Sequence, residues 1–520
     1  MQAELIPGTI ILFIIFLLTF WAFRFHQARG RLPPGPRPWL FLGNLLQKDV
    51  LPLYKHYPKL LKKYGPVFTV WLGTKPMVAL CGCETVRDAL VTHNEEFSGR
   101  PPVVLFDEIT KGYGIIGEHK RWKIIRRFTL TTLRNFGMGK KSMADRILEE
   151  VHCLVGKIST FEGQPFDILP TITASVSNVL CYVLFGNRYS YEDKTITELL
   201  EILEEFNIFF LSAPGVLYST LPNIMKFLPG PHKKLFSDCN KVCDFIRNKM
   251  EAHKKTLDPE NPRDFIDCFL LKLEKEQDSS IICSEDLVMS VFDLFLAGSQ
   301  STSNAISFGL ITLAYFPHIQ AKAQQEIDEV VGANRAPTLE NRIEMTYIKA
   351  LLHEILRYLQ GEIENLPHMT TQDVNFRGHF ILRVSFLKEL TACFFMGKIH
   401  FCYLCFLVSL KGTYVLPLWF SVHFDPLCWE DPEKFDPGHF LNEKGEFQKN
   451  DAYLPFSAGK RTCPGEGLAD MEMFLFFVIL LQHFTFELTI DPKEINLEAL
   501  FTELRKNGKH RYLRAIKRKI

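Results

Sequence analysis

A chain of 520 residues with 60 Lys and Arg against 59 Asp and Glu has a formal net charge of +1, which excludes a generally basic nucleic-acid binder. Length alone allows two or three average domains, or one large helical domain with a sheet lobe, and no internal repeat decides between them. Thirteen scattered cysteines, an odd number, form no secreted disulfide framework, so the bulk of the chain reads as belonging to a reducing compartment.

Residues 5–23 are an apolar run of about the length that crosses a bilayer, weakened in its first turn by Pro7 and Gly8. Arg24, Arg29 and Arg31 follow it while Glu4 precedes it, so the positive-inside bias places the rest of the chain in the cytosol. No small-residue cleavage site is evident, and the run is long for a cleaved signal peptide. The expected division is a membrane anchor at 1–30, a proline-rich hinge at 31–44 and a main domain at 45–520. Pro33, Pro34, Pro36 and Pro38 make the hinge a stiff, extended linker.

Residues 66–80 alternate and are rich in Val, Phe and Trp, predicting paired strands. Helical periodicity then dominates: residues 143–161, 191–210, 232–257, 285–315 and 318–331 all predict helices, several of them long and apolar. The expected class is therefore mainly α with a small β lobe. Residues 206–228 are apolar and interrupted by Pro214 and Pro222.

Four groups of residues carry chemistry. Trp122 and Arg126, four apart, present an indole N–H and a guanidinium on one helix face, or form only a surface cation–aromatic pair. In Ala297-Gly298-Ser299-Gln300-Ser301-Thr302 the mid-helix hydroxyls either face a ligand or bond their own helix carbonyls. Glu354 and Arg357 are an i,i+3 ion pair. In Phe456-Ser457-Ala458-Gly459-Lys460-Arg461-Thr462-Cys463-Pro464-Gly465, Gly459 permits a tight turn and close passage beneath a flat group, and Arg461 offers a fork to a carboxylate. Residues 465–477 have helical spacing, so the Cys463 sulfur lies near a helix N-terminus that favours a thiolate. Pro464 removes one N–H beside that sulfur. The alternative for Cys463 is a buried, unreactive thiol.

This last segment resembles the haem-binding loop of the cytochrome P450 superfamily, Phe-x-x-Gly-x-Arg-x-Cys-x-Gly, at every fixed position. The other motifs occur in the family's order over nearly the whole chain. The resemblance is to microsomal family 2, with a J-like, fatty-acid-oxidising branch as the finer suggestion. It implies a P450 fold and haem b (iron protoporphyrin IX) on the axial thiolate of Cys463, within a loop framed by Phe456 and Gly459. It also implies Ala297 over the iron and Arg100, Trp122, Arg126, His368 and Arg461 as propionate contacts. Glu354, Arg357 and His439 match a structural lock, with His439 where the superfamily usually has Arg. Gln300, Ser301 and Thr302 match the oxygen-activating groove, where the family has an acid followed by Thr; Gln300 cannot ionise, so slow or leaky proton delivery is expected.

The resemblance further implies that Phe106, Ile115, Ile116 and Leu366 line an apolar cavity. Residues 206–228 resemble the loop between the family's F and G helices, which lines the substrate entrance and touches lipid; the alternative is ordinary core packing. No Gly-rich dinucleotide fingerprint appears, so electrons are expected from NADPH-cytochrome P450 reductase, with cytochrome b5 as an additional candidate. Lys123, Arg127, Arg134, Lys140, Lys141 and Lys460 would form a basic patch for an acidic flavoprotein, or solvated helix faces.

The expected activity is that of a membrane-bound monooxygenase of the endoplasmic reticulum with its catalytic domain on the cytosolic face. It would insert one oxygen atom from O2 into a lipophilic small molecule, a fatty acid such as arachidonate or a xenobiotic, by hydroxylation or epoxidation. The alternatives are a hydroperoxide isomerase that needs no external electrons, and a catalytically impaired haem-binding isoform. The second arises from a cysteine-rich apolar insertion at about 383–410, whose beginning and later residues suit translated intron sequence. Lys388, Glu389, Lys398 and His400 argue against a membrane helix there, and a lone Cys402-x-x-Cys405 argues against a metal site. Glu362 and Glu364 put charge where relatives have apolar residues.

Overall fold

The computed structural model describes residues 19, 26, 29–39, 42–73, 75–117, 121–136, 141–275, 281–333, 335–359, 366–383, 413–495 and 511–519. The expected anchor run apart from Thr19, the insertion beyond Arg383, Lys140, Glu362 and Glu364 lie outside these residues. Two compact units are present: Met1–Pro101 with Glu364–Cys428 and Ser457–Thr462, and Pro102–Ile363 with Trp429–Phe456 and Cys463–Ile520.

The first unit is built on a four-stranded sheet in the order Val67–Leu72, Lys75–Leu80, Tyr414–Pro417, His368–Met369. The first pair is the antiparallel hairpin that alternation over 66–80 predicts, and Lys75–Leu80 then runs parallel to Tyr414–Pro417 with Leu80 opposite Pro417. Both early strands are buried almost throughout. Their apolar residues Phe68, Val70, Met77 and Ala79 pack with Leu53, Tyr57 and Leu60 of the Leu53–Tyr64 helix. The proline-rich segment does not stand free of this sheet. The Pro34 carbonyl accepts from Thr69 N at 2.9 Å, and any Cβ on Gly35 would collide with the Thr69 carbonyl. A second hairpin, Val374–Phe376 with His379–Ile381, turns through Arg377 and Gly378, both at positive φ, as a tight two-residue loop demands.

The second unit is helical apart from one antiparallel sheet of Phe166–Asp167, Tyr512–Lys517 and Phe484–Leu488. Its predicted helices appear as Lys141–Ser159, Lys194–Leu211, Pro231–Lys255, Ser284–Tyr315 and Pro317–Val330. Local chemistry sets their ends: Asp193 caps Thr195 and Ile196, Pro231 opens its helix at the first turn, and the Asp286 carboxylate takes the Cys283 N–H at 3.0 Å. Residues 206–228 are not a loop. The Lys194–Leu211 helix is followed by a helix at Ala213–Thr220, capped by Ser212, and a helical turn at Pro222–Met225, because both prolines fall in first turns where no N–H is needed.

Ser284–Tyr315 is the central element, 32 residues long and buried over most of its length. A Cβ at Gly309 would collide with the Phe477 ring and lie 2.8 Å from Ile355 Cδ1, so this helix approaches Glu466–His483 and Thr346–Leu359 closely at that point. Among the described residues one helix, Ile168–Phe185, is long and apolar enough to cross a membrane; 78% of that span is buried in the protein, as in a core helix.

Candidate active site

In the second unit, Cys463 N donates to the Phe456 carbonyl at 2.9 Å, and the Glu466–His483 helix begins three residues later with Gly465 as its N-cap. Burial pushes the Cys463 thiol up; the backbone N–H groups of Gly465 and Glu466 and the charge of Arg126 oppose this, while Glu466 adds to it. The sulfur is densely surrounded by protein, yet the residue is solvent-accessible. Its exposure sets Cys463 apart from the buried Cys81, Cys181, Cys239 and Cys243. An accessible sulfur with two helix-start donors and a cation fits an axial thiolate.

Arg126 lies 5.8 Å from the Trp122 ring, so the cation–aromatic pair exists. The Trp122 indole N–H is not held out for a ligand: it donates to the Ile115 carbonyl at 3.0 Å. That bond ties the start of the Trp122–Asn135 helix to the loop before it.

On the Ser284–Tyr315 helix, Ala297 and Ser301 are exposed although the flanking turns are buried, so one edge carries two small accessible residues a turn apart. Thr302 is buried. The Ser301 hydroxyl donates to the Ala297 carbonyl at 2.8 Å, the self-bonding arrangement, and Gln300 Nε2 is buried with no hydrogen-bond partner among the described residues. Phe106 meets Phe206 and Phe210 edge-on at 5.0 and 5.7 Å.

About one turn before Ala297 on the same helix is Asp293, which no motif singles out. Its Oδ2 accepts from Ile115 N at 2.7 Å and Ile116 N at 3.1 Å, and burial pushes its carboxyl up to about 7. The available signal was a lone carboxylate in the apolar run Val291-Phe292-Asp293-Leu294-Phe295.

Glu354 and Arg357 are both fully buried and doubly bonded, Nε to Oε2 and Nη2 to Oε1, each at 2.7 Å. Arg357 also donates to the carbonyls of Pro432 and Lys434, at 2.8 and 3.1 Å. His439 bonds Glu354 Oε1 at 3.1 Å through Nδ1 and the Glu430 carbonyl at 2.5 Å through Nε2. The three residues therefore meet, and what they hold is the 430–439 stretch, not the loop immediately before Cys463.

The first unit brings together the remaining cations. Arg100 Nη1 donates to the carbonyls of Leu366 and Pro367 at 2.7 and 2.8 Å, and Arg461 Nε donates to Ser98 O at 2.8 Å. His368 bonds the Phe97 carbonyl at 2.8 Å through Nδ1; burial first, then the charges of Arg100 and Arg461, pull its pKa down to about 3. Because a carbonyl oxygen only accepts, the Phe97 bond places a proton on Nδ1. The close passage at Gly459 is against the protein itself: a Cβ there would collide with the Leu90 carbonyl, and its φ is +71°. Lys460 is taken by Glu95, which removes it from the expected basic patch. In the second unit Lys123, Arg127 and Arg134 remain exposed along one face of the Trp122–Asn135 helix, and Lys141 is exposed as well.

The family model described as Cytochrome P450 matches residues 33–383 and 410–511. Cytochrome P450 2C23 of Rattus norvegicus is 41% identical over 479 residues, 92% of this chain and 91% of the relative. Cytochrome P450 2C5 of Oryctolagus cuniculus is 41% identical over 488 residues, 94% of each chain. Cytochrome P450 2F2 of Mus musculus is 40% identical over 481 residues, 92% of each. These are 2C and 2F relatives, and the J-like suggestion has no counterpart among them. Family membership brings haem b and a cysteine thiolate as its axial ligand. With a matched model over most of its length and identities near 41% across more than nine-tenths of both chains, the protein belongs to the cytochrome P450 family, as a monooxygenase of the family 2 type.

Proposed function

We propose that Cys463 is the axial ligand and that the protein oxidises a lipophilic small molecule, a fatty acid such as arachidonate or a xenobiotic, by hydroxylation or epoxidation. The observation that carries this is the accessible Ala297–Ser301 edge on a helix otherwise sealed in apolar core. The aromatic cluster of Phe106, Phe206 and Phe210 in the same unit supports a water-poor substrate. When bound, the haem supplies activation of dioxygen by an electron-rich thiolate. Ala297 leaves room for the substrate, and the Ser301 oxygen keeps lone pairs for a hydrogen bond while its O–H donates to the Ala297 carbonyl. Gln300 holds an amide where an ionisable acid would relay protons. Arg126 with Trp122, and Arg100, His368 and Arg461, are proposed as the propionate contacts on the strength of their motifs.

Electrons are proposed to come from NADPH through a reductase, with cytochrome b5 as a second donor; the exposed Lys123, Arg127, Arg134 and Lys141 suit an acidic partner. Residues 5–23 are proposed to anchor the protein in the endoplasmic reticulum membrane with the catalytic body in the cytosol. Exposed Val216, Leu217, Leu221, Ile224, Phe227 and Leu228 suit contact with lipid. The reduced carbon monoxide spectrum of the purified protein and of Cys463→Ser tests the ligand: the thiolate-type band is expected in the first and absent in the second. Turnover dependent on NADPH and reductase tests the reaction.

A second reading is favoured by the bound Ser301 hydroxyl and the non-ionising Gln300: isomerisation of a lipid hydroperoxide, which needs no external proton relay or electrons. Product from a hydroperoxide without NADPH, at a rate that reductase does not raise, selects it. The unmatched stretch between residues 383 and 410 keeps open the impaired isoform, which a haem-free purified protein would establish.

A further inference from the structure

Two cysteines that the haem chemistry does not use lie side by side in the first unit. Cys83 opens a short helix just beyond the Lys75–Leu80 strand, and Cys428 follows the Tyr414–Pro417 strand that runs parallel to it. The two chain segments remain in register past the sheet. Leu418 N donates to Leu80 O at 2.9 Å, Gly82 N donates to Ser421 Oγ at 2.9 Å, and Cys428 N closes a turn onto the Asp425 carbonyl at 2.9 Å. The outcome is that the Cys83 and Cys428 thiols are within hydrogen-bonding reach of each other. Both are reduced and half-buried, and the neighbouring Leu427 is 92% exposed, so a small oxidant can reach them.

We propose that Cys83 and Cys428 are a peroxide-sensitive thiol pair that closes to a disulfide, with Cys83 as the attacking sulfur and Cys428 as the resolving one. The order follows from where the protons sit. Burial pushes the Cys428 thiol up to about 12, with the charges of Asp425 and Cys83 adding to it, so Cys428 keeps its S–H and donates to Cys83. A donated hydrogen bond stabilises the Cys83 thiolate. That thiolate attacks one oxygen of hydrogen peroxide, the O–O bond breaks, hydroxide leaves, and Cys83 becomes a sulfenic acid. The Cys428 sulfur then attacks the sulfenic sulfur, its proton leaves with the departing hydroxyl as water, and the S–S bond forms. In sum, two thiols and one hydrogen peroxide give one disulfide and two waters. Selectivity against the buried sulfurs follows from contrast: Cys81, Cys239 and Cys243 are pushed up to about 12, which leaves them slow to react. Closure would fix the turn at Asp425–Cys428 to the beginning of the Cys83–Arg87 helix.

The test uses the full-length protein in detergent, fully reduced with a phosphine, exposed to graded hydrogen peroxide, alkylated and mapped by mass spectrometry without reduction. A linked Cys83–Cys428 peptide that dithiothreitol reverses is expected at peroxide levels that leave Cys81, Cys239 and Cys243 alkylatable or unreacted as thiols. Cys428→Ser is expected to leave a dione-trappable sulfenic acid on Cys83; Cys83→Ser is expected to abolish both the link and oxidation at position 428. Oxidation of Cys83 to sulfinic acid in the wild type while Cys428 stays a thiol overturns the proposal, and so does peroxide reacting at Cys428 as readily in Cys83→Ser. If either serine variant fails to fold, the time course of adducts at the two sites in the wild type decides: sulfenic acid must precede the link and must sit on Cys83.

Discussion

The Asp293 carboxylate occupies the space that a Cβ on Gly114 would need, and it closes its contact with the loop through the next two backbone N–H groups, of Ile115 and Ile116. Gly114 is at φ +86°, so both the backbone conformation and the space require glycine. Asp293→Ala leaves two buried donors unpaired and is expected to cost about 2–4 kcal/mol in urea denaturation. Protection of the Ile115 and Ile116 amides from hydrogen exchange should fall with it. Asp293→Asn keeps an oxygen acceptor and should cost clearly less. Since burial raises the Asp293 pKa to about 7, ionisation weakens the folded state as pH rises from about 4 to about 7, and the Asn variant should flatten that slope. An unchanged slope would mean that Asp293 is not the group that titrates over that range.

Removing one member of the Glu354–Arg357 pair strands a charge in a fully buried site. Arg357→Ala is expected to destabilise by about 3–5 kcal/mol and to lower haem content of the purified protein. Arg357→Lys should rescue little, because an ammonium cannot make the two parallel bonds to the carboxylate while also reaching the Pro432 and Lys434 carbonyls. Melting and haem quantitation check both.

Burial pulls the His439 pKa down, but the hydrogen bond and charge of Glu354 more than offset it, and the net shift is upward. A histidine raised on folding contributes stability that is full below its unfolded pKa, about 6.5, and is lost as pH rises through the folded value. The melting advantage of the wild type over His439→Gln should therefore shrink above about pH 6.5. An advantage that is constant across that range would mean the ring is neutral throughout.

The groove substitutions predict their own correction. Gln300→Glu restores an ionisable group next to Ser301, and the fraction of NADPH recovered in oxidised product should rise, on the order of severalfold. Ser301→Ala removes the hydroxyl and should lower that fraction. Peroxide release, measured alongside, should move in the opposite direction in each case.

Periodicity gave the long helices Lys141–Ser159, Pro231–Lys255 and Ser284–Tyr315 to within a few residues, since the spacing of their buried apolar residues is displayed by one sequence. The resemblance of residues 206–228 to a loop missed that Pro214 and Pro222, which look like breakers, occupy first turns. The family was legible where a motif is contiguous, as around Cys463. The site was not legible where the partner is distant in the chain: nothing near Trp122 announces that its N–H is given to Ile115, nor does anything near Lys460 announce Glu95. His368 shows the same limit, because its lowered pKa comes from burial beside two arginines and not from its neighbours in sequence.

The apolar side chains left bare between Val216 and Leu228, Phe227 at 76% among them, bear on how the protein can be handled. Trimming away the leading thirty residues would still leave a greasy crown on the helical unit, so a shortened version is expected to stay particulate or clump in plain buffer. Polar replacements at Leu217, Ile224 and Phe227 together with the trim, and neither change alone, should yield single particles by light scattering without surfactant.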